Sequence, residues 1–149
     1  MTEILFYHLE RRSLEDVLPG LLARSLERGW RVVVQAASEE RVRALDSHLW
    51  SYDEASFLPH GTKADGRAEE QPVWLTAEHD NPNGANVRFL VDGAAATGLD
   101  GYDRVVFLFD GGDAEAVASA RAAWRAVAAG GHDVTYWRQG ESGRWVKQG

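Results

Sequence analysis

Asp110 and Asp113 bracket Gly111 and Gly112 in a chain of 149 residues that contains no cysteine. Carboxylates at a glycine turn after an apolar run could hold a magnesium-bound nucleotide or small molecule at a sheet edge, the runner-up reading for this chain as an α/β enzyme. The plainer alternative is a tight turn in which Asp113 caps the following helix. No Gly-x-Gly-x-x-Gly motif occurs, and neither Lys63 nor Lys147 follows a glycine, so neither phosphate-binding loop motif is present. The histidines, His8, His48, His60, His79 and His132, form no His-x-His or His-x-x-x-His pair. Ser56 lies four residues before His60 but outside any Gly-x-Ser-x-Gly elbow. These residues yield no catalytic assignment, no metal ligand set and no cofactor.

Two other constellations suit recognition better than catalysis. Arg121, Trp124 and Arg125 stand at i, i+3 and i+4, so on a helix they share one patch. Two arginines a turn apart repel by roughly 0.2–0.5 kcal/mol unless an anion lies between them. The competing reading pairs both with surface acids and packs the tryptophan on a neighbour. The segment from Leu49 to His60 places Trp50, Tyr52, Phe57, Leu58 and Pro59 at a helix end and in the connection after it. A connection this aromatic either folds onto the core or offers a hydrophobic anchor to another protein.

Elements that would position these residues follow from periodicity. Ile4 to Leu9 is a short apolar strand, and Leu18, Leu21, Leu22 and Leu26 share a helix face. Ser13 with Glu15 and Asp16 resembles a helix start, but Pro19 argues that the main helix begins only there. Arg31 to Gln35 reads as a strand, and Ser38 opens a helix ending near Trp50. Gly61 to Glu70 reads as a polar surface loop. Strands are expected at Pro72 to Leu75 and Val87 to Val91, around a turn from His79 to Gly84. Val105 to Phe109 is apolar throughout, as a central strand should be. An alanine-rich helix from about Ala114 to Ala129 should bury Ala116, Ala120, Ala123 and Val127 against the sheet. Val134 to Trp137 forms a last core strand, and Glu141 to Trp145 turns into a tail. The expectation is a single-domain three-layer α/β/α sandwich, residues 1–149, with a mostly parallel sheet.

The totals bound the function. A net charge of −7 and two lysines leave little to displace counterions, so direct nucleic-acid binding is not expected. No apolar stretch reaches the roughly 18 residues of a membrane span, and the first residues lack a signal-peptide pattern, so a cytoplasmic protein is expected.

Taken in order, several segments resemble the chi subunit family of bacterial DNA polymerase III. They are Phe6-Tyr7-His8-Leu9, Leu45-Asp46 with Leu49-Trp50, and Ser56-Phe57-Leu58-Pro59-His60 followed by Gln71-Pro72-Val73. Ala120-Arg121, Trp124-Arg125 and the strand from Thr135 to Trp137 continue the series. The resemblance covers nearly the whole chain. It implies a non-catalytic clamp-loader accessory that joins the psi subunit to single-stranded-DNA-binding protein. It places psi against Trp50, Phe57 and Pro59, a loop for which a helicase would compete. It places the acidic, Phe-ending tail of single-stranded-DNA-binding protein on Arg121, Trp124 and Arg125. Ala128, one turn past Arg125, stands where a further basic residue would help, so weaker tail binding is expected.

Overall fold

The computed structural model describes residues 2–10, 12–51, 59–78, 80–91, 93–94, 98–139 and 145–147. Strand β1 (Glu3–Leu9) leads into helix α1 (Leu14–Glu27), then β2 (Val32–Gln35) and α2 (Glu39–Ser51). Strands β3 (Gly61–Thr62), β4 (Val73–Thr76), β5 (Val87–Leu90) and β6 (Arg104–Asp110) follow. Helix α3 (Ala114–Ala129) and strands β7 (Asp133–Gln139) and β8 (Trp145–Lys147) complete the order. The strands form one sheet in the order β3-β4-β2-β5-β6-β1-β7-β8. All its pairings are parallel except the β7–β8 hairpin.

Strand side chains alternate between faces, and the sheet builds two cores. Leu5, Val34, Phe89, Val106 and Leu108 pack with Leu18 and Leu22 of α1 and Val42, Leu45 and Leu49 of α2. Ile4, Phe6, Val33, Val105 and Phe107 pack on the other face with Ala120 and Val127 of α3. The result is the three-layer arrangement. Register across β6, β1 and β7 places Phe107, Phe6 and Tyr136 side by side, and Phe6 stacks on Phe107 at 4.3 Å. This aromatic row is the floor on which α3 lies.

Three sequence expectations need correction. Helix α1 starts at Leu14, not Pro19, because a capping box closes its first turn: Ser13 Oγ accepts from the Asp16 amide and the Asp16 carboxylate accepts from the Ser13 amide. Pro19 lies inside the helix and is buried. The segment from Gly61 to Glu70 is not a plain loop. It adds edge strand β3 beside β4 and a turn of 3-10 helix at Ala68–Glu70. The tail after β7 carries β8, which pairs antiparallel with Trp137, Arg138 and Gln139. The two strands expected around the 79–84 turn are present as β4 and β5, with β2 between them in the sheet. The expected α2 end near Trp50, the central β6 and the bounds of α3 hold.

Candidate functional site

Parallel sheets offer a crevice where adjacent strands send their chains to opposite faces. Here that point lies between β1, which leads to α1, and β6, which leads to α3. A cavity of about 820 Å³ opens there, lined by Leu9, Leu90, Phe107, Asp110, Asp113 and Ala120 among others. Its helix-end amides are already taken by the chain's own side chains. Asp113 Oδ1 accepts from Glu115 and Ala116, and Asp110 Oδ1 accepts from Gly112 at 2.8 Å. The carboxylates therefore fill the positions a phosphate would take. Gly111 is explained by packing: a Cβ there would come within 1.9 Å of His8 Nε2 and 2.8 Å of the Leu9 carbonyl oxygen. The cap reading of Asp113 accounts for this turn, and nothing in its geometry favours a bound nucleotide. Among the described residues no three His, Asp or Glu side chains are placed to hold a metal ion.

The α3 patch is assembled as its spacing predicts. Arg121 and Arg125 are exposed, whereas Trp124 is half-buried. The indole meets Phe6 edge-on at 5.5 Å and Tyr136 at 5.6 Å, so it is anchored to the sheet with part of its surface open. Aromatic edges contact ring faces favourably, which fixes Trp124 relative to the two arginines. Among the described residues neither Arg121 nor Arg125 has an ion-pair or hydrogen-bond partner. The expectation of paired surface arginines does not hold, while that of a packed tryptophan does.

Sequence reasoning missed the residues beneath this patch. The Tyr136 hydroxyl and His8 Nδ1 are 2.8 Å apart, and the charge of Arg121 reaches both groups. Burial, aided by Arg138 and opposed by Glu10, holds the His8 imidazole below its ordinary value. Burial also pushes the Tyr136 phenol up. Arg138 is itself engaged by Glu10. No local pattern marks this group, because parallel pairing joins residues 128 positions apart.

The second site lies at the end of α2. Trp50 is 54% exposed, which removes the core alternative for this residue. Its ring lies 4.6 Å from that of His60, whose Nε2 is 3.1 Å from Asp46 Oδ1. Asp46 and Trp50 are one helical turn apart, so buried His60 docks the chain after α2 against that helix. Pro59 is half-buried beside it, and Phe57 lies outside the described residues. Trp50 thus stands with α2 on one face of the sheet, near the β3–β4 edge, whereas Arg121 stands with α3 on the other face, toward β7.

Comparison with known proteins shows what the chain as a whole is similar to. A family model described as DNA polymerase III chi subunit, HolC, matches residues 1–135. The chain is also 26% identical over 91 residues to a protein of Rickettsia prowazekii (strain Madrid E) described as a probable DNA polymerase III subunit chi. That likeness takes in 61% of this chain and 55% of the relative, so the chain spans about half the length of the curated relative it matches.

Proposed function

This chain belongs to the DNA polymerase III chi subunit family, and from that premise we propose that it is a non-catalytic replication adaptor. In this reading α3 takes the C-terminal tail of single-stranded-DNA-binding protein, and the end of α2 takes the psi subunit within the clamp-loader assembly. The observation that carries it is the pair of exposed arginines flanking an anchored Trp124 on an otherwise acidic chain. A guanidinium fork suits a terminal carboxylate through two charge-assisted hydrogen bonds. Beside it, the open part of the Trp124 indole offers an apolar wall to a terminal phenyl ring, whose burial is worth roughly 1.5–3 kcal/mol.

Placement of the two surfaces on opposite faces of the sheet supports simultaneous rather than competing occupancy. Trp50 supplies the exposed aromatic anchor of the psi side, with Pro59 and Phe57 completing it, and a helicase presenting a similar apolar segment would compete there. Calorimetry with an acidic, Phe-ending tail peptide tests the tail site. Binding near micromolar, or about −8 kcal/mol, is expected. Arg121→Ala should abolish most of it without moving the melting temperature. An Arg121→Ala protein that binds as tightly as the parent removes the assignment.

A further inference from the structure

A second cationic surface lies on the face of the sheet opposite Arg121 and is independent of the adaptor reading. A groove of about 330 Å³ runs between the C-terminal half of α1 and the sheet, bordered by Tyr7, Leu21, Arg24, Arg28, Trp30 and Arg104. The Arg28 guanidinium carbon is 4.9 Å from the centre of the Trp30 ring and that of Arg104 is 5.1 Å from it. Such cation–aromatic contacts attract the guanidinium groups to the face of the ring. Arg104 also binds Glu3 at 2.6 Å. Arg24 and Arg28, one turn apart and both exposed, have no ion-pair partner among the described residues. Glu27 borders the groove without bridging to either. Like charges at this spacing repel, and a chain with 23 acids and 16 basic residues could readily have supplied a partner. The Tyr7 hydroxyl lies within the fields of Arg104, Arg24 and Arg28.

We infer that this groove, with Arg24 and Arg28 at its mouth and Trp30 and Tyr7 as its walls, docks an acidic segment of a partner protein. Charge complementarity selects an anion, and the shape selects a peptide over a nucleic acid. The volume accommodates about one or two side chains, not a run of nucleotides. Trp30, the aromatic surface on which a base would stack, is already engaged by two arginines.

Hexaglutamate serves as the probe, read by two-dimensional nitrogen–proton NMR on the full chain. The Trp30 indole and Arg24 and Arg28 side-chain signals should shift saturably and move less as salt is added. The Arg24→Gln/Arg28→Gln protein should bind about tenfold more weakly, since charge-assisted hydrogen bonds are lost. Circular dichroism should show it fully folded, because both side chains are exposed. Arg43→Gln, an exposed arginine elsewhere, and Arg121→Ala should leave the titration unchanged. A non-saturable shift, or equal binding by the double variant, overturns the inference. So does a short oligothymidylate that moves the same signals at lower concentration than hexaglutamate.

Discussion

His48 on α2 donates its Nε2 proton to the backbone carbonyl of Glu15 on α1, at 2.6 Å. That carbonyl is the one Pro19, four residues on, cannot satisfy for want of an N–H. The proline is thus accommodated inside α1 by a side chain from the neighbouring helix. His48→Ala should cost about 1 kcal/mol, the net worth of a hydrogen bond to a part-buried acceptor. In a Pro19→Ala background the same change should cost clearly less, since the helix can then supply the amide. Chemical denaturation of the four proteins in the cycle measures the coupling, and strict additivity would show that the two residues act independently.

The same residue supplies a pH signature. The Arg41 hydrogen bond at 2.8 Å holds the Glu15 carboxyl below its ordinary 4.5, against the opposing effect of burial. A carboxyl lowered in the folded state contributes stability that is present above pH 4.5 and is lost as pH falls through the folded value. Wild type and Glu15→Gln should therefore differ in melting temperature at neutral pH and converge in acid. Parallel melting curves across that window would contradict the assignment.

His8 gives a window of its own nearer neutrality. Its imidazole is held below 6.5 mainly by burial, so the unfolded chain binds a proton more readily than the folded one. Its contribution is fully present above pH 6.5 and is lost as pH falls through the folded value. A His8→Gln protein should show a shallower loss of melting temperature on the acid side of 6.5 than the parent.

Gly111 should tolerate no side chain. Gly111→Ala sets a methyl against the His8 ring and the Leu9 carbonyl, and overpacking of this kind costs about 1–3 kcal/mol. Combining it with His8→Ala should recover part of that loss, the remainder belonging to the backbone contact. A Gly111→Ala protein as stable as the parent would show that the β6–α3 turn is not so constrained.

Trp50→Ala should lower affinity for psi by at least about 2 kcal/mol, as loss of an aromatic hot spot does. Its effect on thermal stability should be small, because more than half of the residue is exposed. A large loss of stability with unchanged binding would reassign it as support for His60.

Much of the fold was legible because its strongest signals are local. The apolar β6 and the small-residue face of α3 carry their periods within a few residues. The elements that escaped are too short to carry a period of their own and are defined by pairing alone: two-residue β3 beside β4, and three-residue β8 beside β7. The start of α1 was misplaced because the group that offsets Pro19 comes from His48, on another helix. Spacing alone was enough to join Arg121, Trp124 and Arg125. It could not show that Trp124 rests on Phe6 and Tyr136, or that His60 meets Asp46, because those contacts depend on register and on docking of the chain after α2.

In the adaptor reading one chain holds two partners at once on opposite faces of its sheet. Sedimentation velocity of the chain with psi and a labelled tail peptide of single-stranded-DNA-binding protein tests it most directly. A ternary species is expected, from which Trp50→Ala releases only psi and Arg121→Ala releases only the peptide. Mutual exclusion of the two ligands, or loss of both from either substitution, would contradict it.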